Sequence, residues 1–363
     1  MMRLLTLLVL GLPLATFAQD VSAFLDYMGR LYVFDRGVIK QIEGIRPKSF
    51  AVGGDYVAYA DARGDLKVYV DGRDRVIDRT VLGVPTVTDH FLGFETAGVL
   101  KVFDGEIHTL CGNTAGYVVE DSVAAFRDGV RQTLNAYYKG RIIQLEDVLA
   151  GDVVNAWKAG DNVIAWVSAR ERNFKVFYRG ETQVLGDLVS SMDFKCGLDI
   201  VAFQDPYDQG FKVFHKGVVY DLEGQMPVRY EVGKGTLAYL DLTGALKVFQ
   251  EGMIYTARDF EPDSWQIVDS LVIIEDLGQF RVFSEGKLHT LGGQFIPSLW
   301  EASWGSIAYL DNNNAIRVWR NEVEGVIDRG QPVRELRMHR GLVTAVLGTN
   351  NIKIWWRGRS YSH

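Results

Sequence analysis

The chain has 363 residues, of which 47% are hydrophobic and 23% charged, and its formal net charge is −7. This is the composition of a globular protein with a large core, and its acidic balance argues against nucleic acid as a partner.

The first eighteen residues have the pattern of a secretory signal peptide. Arg3 gives a positive start, Leu4 to Ala15 form a short apolar run, and Ala18 is a small residue at the expected cleavage site. We expect cleavage to leave one domain, residues 19–363, in the periplasm. No later stretch reaches the length of a transmembrane helix, so we expect no transmembrane segment in the mature chain.

A short motif recurs ten times along the rest of the chain, in strings such as LYVFDRG, FKVFYRG and IKIWWRG. The spacing between successive copies is 34 to 40 residues. Their third residues are Val33, Val68, Val102, Ala136, Val176, Val213, Val248, Val282, Val318 and Ile354. A fixed period of this length predicts a repeat architecture.

Each unit offers four short strands. A segment such as VAYAD or IAYLD precedes the recurring motif, an apolar stretch that often follows proline comes before it, and a run such as VVYDL or KLHTL closes the unit. Val, Ile, Tyr, Phe and Trp dominate these segments, and Gly, Asp and Pro separate them, which favours sheet. The first unit begins at its second strand, and too few residues precede it for a first strand.

The paired segments resemble the β-propeller repeats of the TolB-like and WD40-like group, which also join an [IV]-A-[YF]-x-D-x-x-G hairpin to a following strand. The resemblance implies an all-β fold, a β-propeller of about ten short four-stranded blades. Ten blades exceed the usual four to eight, and the incomplete first unit leaves two alternatives, ten blades or nine and a partial one. It also leaves open how the ring closes.

Two side chains recur with the strands. An acid follows the second strand at Asp26, Asp61, Asp128, Asp205, Asp241, Glu275 and Asp311. A base precedes the anchor at Lys67, Lys101, Lys175, Lys212, Lys247, Arg281, Arg317 and Lys353. We interpret the acids as turn residues and the bases as their cross-strand partners, with a calcium ring and a polyanion-binding ring as the alternatives.

The sequence contains no HExxH, P-loop, GxSxG or paired CxxC motif. We therefore predict no catalytic residue, no metal site and no cofactor. Cys111 and Cys196 fall in non-adjacent units, so we expect two free thiols.

The last unit differs from the others in charge. Residues 331–363 carry six basic residues and one acid. We predict a partner-binding surface there, formed by Arg337, Arg340, Arg357, Arg359, Trp355 and Trp356. The four arginines are expected to be exposed, because they are predicted at strand ends or turns.

The uniform repeat favours a non-catalytic interaction module on an outer-membrane or periplasmic protein complex. In size, expected periplasmic location and fold, the chain is similar to the plug subunit that closes an idle type IX secretion translocon in Bacteroidota. This similarity implies docking onto an outer-membrane barrel. The alternatives are a propeller enzyme and a protein that binds glycan or lipopolysaccharide.

Overall fold

A computed structural model describes residues 21–79, 81–148, 157–187, 189, 192–348 and 351–363. The predicted signal peptide, residues 1–18, lies outside the described residues. The described chain forms ten antiparallel sheets in sequence order, nine with four strands and the first with three, and it contains no helix. The all-β prediction of ten short blades is therefore confirmed.

We number the blades 1 to 10 along the chain. The inner strands of blades 2 to 10 are β4 (Ser49–Val52), β8 (Leu82–Val87), β12 (Thr114–Val119), β16 (Trp157–Gly160), β20 (Phe194–Gly197), β24 (Arg229–Val232), β28 (Ser264–Val268), β32 (Trp300–Ser303) and β36 (Val333–His339). The second strands are β1 (Val21–Leu25), β5 (Tyr56–Ala60), β9 (Leu92–Thr96), β13 (Val123–Asp128), β17 (Val163–Ser168), β21 (Ile200–Gln204), β25 (Thr236–Leu240), β29 (Leu271–Asp276), β33 (Ser306–Leu310) and β37 (Leu342–Leu347).

The third strands carry the recurring motif. They are β2 (Leu31–Asp35), β6 (Leu66–Val70), β10 (Val99–Phe103), β14 (Thr133–Tyr138), β18 (Asn173–Tyr178), β22 (Phe211–His215), β26 (Leu246–Gln250), β30 (Gln279–Ser284), β34 (Ile316–Arg320) and β38 (Asn351–Trp356). The outer strands are β3 (Val38–Glu43), β7 (Arg73–Asp78), β11 (Ile107–Cys111), β15 (Arg141–Asp147), β19 (Glu181–Asp187), β23 (Val218–Glu223), β27 (Met253–Arg258), β31 (Lys287–Thr290), β35 (Val323–Asp328) and β39 (Arg359–Ser362).

The core lies between consecutive blades. Second and third strands are buried on both faces, as in β5 and β25, because each sheet packs between two neighbours. One apolar cluster, for example, joins Val33 of blade 1 to Val57 and Tyr69 of blade 2. Outer strands such as β7 and β35 are mostly exposed and form the rim.

The recurring acids shape the turns between second and third strands. The carboxylate of Asp61 accepts the backbone N–H groups of Arg63, Gly64 and Asp65 at 2.9 to 3.0 Å. Asp241 accepts those of Thr243 and Ala245 in the same way. The turn interpretation is therefore confirmed at these positions. In blade 8 the assignment of Glu275 as the recurring acid was wrong, because Asp276 forms the ion pair with Arg281, the base of the third strand.

The recurring lysines join neighbouring blades. In five places a third-strand lysine forms an ion pair, at 2.6 to 3.1 Å, with an acid at the end of the preceding blade's outer strand. We call each pair a blade latch. The latches are Lys67–Glu43, Lys101–Asp78, Lys175–Glu146, Lys247–Glu223 and Lys353–Asp328. Lys67 and Lys247 also pair with the turn acids of their own blades, Asp61 and Asp241. These pairs agree with the interpretation of the recurring bases as cross-strand partners of the recurring acids.

The ring closes by packing of blade 10 against blade 1. Phe34 contacts Trp356 and Tyr361 edge-on, with ring centroids 5.8 and 5.0 Å apart. Ser22 and Thr344 share a hydrogen bond of 3.0 Å between their hydroxyl groups. Among the described residues no strand passes from one of these two sheets into the other, so this seam depends on side-chain packing.

Cys111 and Cys196 are both unpaired, as expected. They lie in blades 3 and 6, on β11 and β20. In the part of the chain that the structure describes, no helix has the length and hydrophobicity needed to cross a membrane.

Candidate functional site

The turns that follow the inner strands meet at one end of the central channel, because the inner strands lie nearest its axis. Each turn contributes one residue to this end, and in five of the nine turns this residue is aspartate. These residues are Gly54, Asp89, Asp121, Asp161, Asp199, Lys234, Asp269, Trp304 and Arg340. This end of the channel is called the mouth below.

Side chains from distant blades touch across the mouth. The indole N–H of Trp304 in blade 9 donates to a carboxylate oxygen of Asp89 in blade 3 at 3.1 Å. The guanidinium of Arg340 in blade 10 pairs with the same oxygen at 2.8 Å and lies 4.3 Å from the Trp304 ring centroid. Asp89 is buried, and although burial opposes its charge, the pairing with Arg340 keeps its pKa below the usual range.

Lys234 completes this set from blade 7. Its ammonium lies 3.2 Å from a carboxylate oxygen of Asp269 in blade 8 and 3.8 Å from one of Asp121 in blade 4. It also lies 4.8 Å from the centroid of the Trp304 ring. Burial opposes the charge of Lys234, but Asp269 and Asp121 raise its pKa above the usual value. We call Asp89, Asp121, Lys234, Asp269, Trp304 and Arg340 the mouth cluster.

Two further carboxyl groups beside the cluster hold their protons unusually tightly. Burial, with the charges of Asp161 and Asp121, raises the pKa of Glu120 to about 7. Burial and the charge of Asp121 also raise the pKa of Asp161. Asp161 accepts the backbone N–H of Ser122 at 3.2 Å. Strongly shifted carboxyl groups are found at active sites and also in buried structural networks.

The backbone of the mouth is tightly packed. The N–H of Gly54 in blade 2 donates to the carbonyl oxygen of Asp89 at 2.7 Å. A Cβ on Gly54 would lie 2.2 Å from that oxygen, so no other residue fits there. The described residues at the mouth thus form a connected polar layer whose contacts cross the channel.

A cleft of about 680 Å³ lies beside the mouth, over blades 7 to 9. Its walls include Tyr255, Trp304 and Trp319, together with Lys234. His289 also faces the cleft, and its buried Nε2 has no hydrogen-bond partner. Aromatic walls with a few polar groups are typical of small-molecule sites.

The predicted partner-binding residues do not form one surface. Arg357 and Arg359 are exposed at the rim, in the turn before β39 and on that strand. Trp356 packs against Phe34 in the seam, and Trp355 is buried with only 9% exposed.

The two remaining arginines lie on the inner part of blade 10. Arg337 is exposed on β36, where it pairs with Glu335, and its guanidinium lies 5.3 Å from the Phe50 ring centroid. The expectation that Arg340 is exposed was wrong, since its side chain is only 12% exposed, covered by Asp89 and Trp304. The basic charge of blade 10 is therefore split between rim and channel.

Sequence reasoning missed the mouth cluster. Its residues differ from one repeat to the next, so no recurring string marks them. A signal was present: in all nine blades with a described inner strand, the turn after that strand carries a charged or aromatic residue, which in blade 2 is Asp55.

The comparisons with known proteins agree with the fold. The sequence matches the family described as the 10-bladed beta propeller domain over residues 15–361, and the chain belongs to that family. No curated protein matches the sequence.

Among solved structures the chain is similar to the computationally designed protein Ika8, with 16% identity and a TM-score of 0.34 over 77% of this chain and 94% of that chain. It is similar to PorZ, a surface component of the type-IX secretion system of Porphyromonas gingivalis, with 12% identity and a TM-score of 0.27 over 95% of this chain and 59% of PorZ. It is similar to Hsv2 of Kluyveromyces lactis, with 12% identity and a TM-score of 0.34 over 69% of this chain and 97% of that chain. Values this low carry no information on function.

Proposed function

We propose that this protein is an exported, non-catalytic interaction module that docks as a rigid disc on the periplasmic side of an outer-membrane complex and closes it, as a plug closes a secretion translocon. The observation that carries the proposal is the mouth cluster. Trp304, Arg340 and Lys234 reach Asp89 and Asp121 across the channel, so that the centre of the disc is filled on this side.

A disc that covers an opening needs a centre without a passage and a rim that binds the surroundings. The ion pairs of the mouth support the first property, because they join side chains of distant blades across the centre of the disc. The rim of blade 10 supplies a basic edge, because Arg357 and Arg359 are exposed in a chain of net charge −7. Arginine suits pairing with carboxylates or phosphates of a partner.

The raised pKa of Glu120 supports the packing of the mouth. Burial and neighbouring carboxylates raise this pKa. A neutral carboxyl group next to Asp121 also reduces repulsion in the closed mouth.

The decisive experiment combines docking with permeability in the protein's own host. Deletion of the gene should make the cells more sensitive to a large antibiotic such as vancomycin, because the complex is left open. The double variant Arg357→Glu, Arg359→Glu should fold and should co-purify less of a large outer-membrane barrel protein. The decrease in co-purification should be largest at low salt, where electrostatic steering of the partner is strongest.

The matched control makes the same charge change on another rim. Arg73 and Arg75 are exposed on β7, the outer strand of blade 2. Arg73→Glu, Arg75→Glu should leave co-purification and antibiotic resistance unchanged. Unchanged permeability after deletion contradicts the plug, and equal losses in both double variants contradict docking by blade 10.

A second candidate function, glycan binding, is favoured by the cleft beside the mouth. Trp304 is 49% exposed there, which leaves part of the indole for contact with a sugar, and the wall also holds the unpaired ring nitrogen of His289. Titration with soluble lipopolysaccharide core oligosaccharides, followed by tryptophan fluorescence, tests it. Saturable quenching that His289→Ala abolishes supports it, and no quenching contradicts it.

A further inference from the structure

Blade 1 lacks an inner strand among the described residues. Its second strand, β1, pairs with β2 on one edge only, whereas the second strands of the other nine blades pair on both edges. In blade 2 the inner strand Ser49–Val52 pairs with Val57–Ala60. Asp26 and Asp61 hold the same turn in the two blades, so the corresponding free edge of blade 1 is residues 22–25.

Space remains where the missing strand would lie. A cavity of about 260 Å³ is bounded by Ser22 and Ala23 of β1, Phe50 and Val52 of blade 2, and Met338 of blade 10. A second cavity of about 200 Å³ continues along β1 beside Phe24, Leu25, Arg46 and Arg337. We call the two together the blade 1 slot.

The neighbouring blades hold the slot in shape. At the mouth, a ring nitrogen of His339 in blade 10 lies 3.0 Å from the carbonyl oxygen of Gly53 in blade 2, which spans the position of blade 1. The hydrogen bond between Ser22 and Thr344 fixes β1 against β37. The far end of the slot is flanked by the exposed arginines Arg46 and Arg337.

If the chain itself formed the inner strand of blade 1, that strand would have to come from residues before Val21. In the other blades two to four residues lie between the end of the inner strand and the start of the second strand. An inner strand of blade 1 would therefore fall at about residues 14–18, inside the predicted signal peptide. Cleavage after Ala18 would leave Gln19 and Asp20 alone, too few for a strand.

We propose that the blade 1 slot accepts an extended segment of the protein partner, which pairs with residues 22–25 of β1 as the missing inner strand. The proposal rests on the proposed function, since it describes how the docked partner is held. An unpaired strand edge is a template for such addition, in which backbone hydrogen bonds give affinity and side-chain pockets give specificity.

The slot defines the chemistry of this segment. Inner strands are antiparallel to their second strands, so the donor runs toward the mouth and enters at the end flanked by Arg46 and Arg337. Its central residues must be apolar, because they meet Phe50, Val52 and Met338. An acidic residue near its beginning would pair with Arg46, since Arg337 already pairs with Glu335.

The first test maps the neighbour of β1 in the protein purified from its host. Benzoylphenylalanine in place of Phe24 faces the slot, whereas the same replacement at Tyr239, the equivalent residue of blade 7, faces an inner strand that is present. Light should cross-link position 24, and not position 239, to one short stretch of an outer-membrane protein. Cross-links from position 24 to this chain's own residues 1–18, or to none, overturn the proposal.

The second test fills the slot. A variant with the sequence SFAVGGD of residues 49–55 inserted directly before Val21 can form its own inner strand. It should melt at a higher temperature and lose the cross-link, while a control with a seven-residue Gly/Ser insert behaves as wild type. A labelled peptide with the sequence of residues 47–55 should bind the wild-type protein saturably and not the filled variant.

The outcomes separate this inference from the proposed function. If the filled variant co-purifies the partner as well as wild type while Arg357→Glu, Arg359→Glu does not, docking stands and the slot is excluded as its site. If wild type captures no outer-membrane partner, both proposals fail. Loss of the partner in the filled variant alone supports the slot.

Discussion

Trp304 donates a hydrogen bond of 3.1 Å to Asp89 across the central channel, although 215 residues separate them in the chain. Asp89 also pairs with Arg340, so a single buried carboxylate ties blade 3 to blades 9 and 10. These contacts across the mouth are thus a tertiary feature made by three side chains from separate repeats.

Removal of that carboxylate should loosen the mouth. Asp89→Ala leaves the nearly buried guanidinium of Arg340 without its partner, and we expect a loss of about 1–3 kcal/mol in the free energy of unfolding. Chemical denaturation measures it. Asp55→Ala, at an exposed acid in the corresponding turn of blade 2, should change stability little; equal losses in the two variants would contradict a special role for the mouth.

The mouth should weaken as the pH rises. The folded protein holds protons on Glu120 and Asp161 more tightly than the unfolded chain, because burial raises both pKa values. Their contribution to stability is therefore largest below about pH 4 and is lost as the pH rises through about 7. Asp161→Asn should remove part of this slope and gain stability relative to wild type at pH 8 but not at pH 5, measured by thermal unfolding at both values. An unchanged slope would contradict this assignment.

The turn acids should show the opposite dependence. Burial opposes the charge of Asp241, but hydrogen bonds from Thr243 and Lys247 lower its pKa to about 2. Its contribution is present above about pH 4 and is lost as the pH falls toward 2. Asp241→Asn should cost about 0.5–1.5 kcal/mol at pH 7, from the weakened local hydrogen bonds, and less at pH 2. A loss of some measured activity in a variant of full stability would instead indicate a catalytic role.

The seam between blades 10 and 1 should open before the rest of the ring. Phe34→Ala removes the ring that contacts Trp356 and Tyr361, and its cost should be about 3–5 kcal/mol. Phe249→Ala makes the same change at the equivalent residue of blade 7, between blades that have all four strands. Hydrogen exchange should accelerate locally in β1–β3 and β36–β39 for Phe34→Ala only; the same local pattern in both variants would show that the seam is no weaker.

The thiols give a test of the repeat alignment. Burial raises the pKa of Cys196 to about 12 and that of Cys111 above its usual value, so both should react slowly with a maleimide in the native protein. After denaturation without reductant, two thiols per chain should react. Recovery of thiols only after reduction would reveal a disulfide and contradict the placement of the two cysteines in blades 3 and 6.

The recurring parts of this structure could be predicted from sequence, because they repeat. The third-strand motif around Val33 and its nine copies, the turn acids such as Asp61, and the paired signs of Lys67 and its neighbours all follow from periodicity. The three-stranded first unit among the described residues also agrees with a repeat that begins at its second strand.

The mouth and the split of the basic residues were not predictable in this way. Periodicity cannot show that Lys234 of blade 7 meets Asp121 of blade 4, because such contacts depend on ring closure. Arg340 and Arg359 are near in sequence but belong to the innermost turn and the outermost strand of one sheet. Strand position within the blade, and not distance along the chain, separates them.

The blade latches bear on how such a ring can change in evolution. Each latch takes its lysine from one repeat and its acid from the repeat before, as in Lys101–Asp78 and Lys247–Glu223. Blade 2 supplies both a latch lysine, Lys67, and a latch acid, Asp78, so duplication of this repeat adds the two together and both charges find partners in the enlarged array. A repeat of this kind can be gained or lost by a single genetic event without leaving a buried charge unpaired, which offers a physical route to a propeller of ten blades.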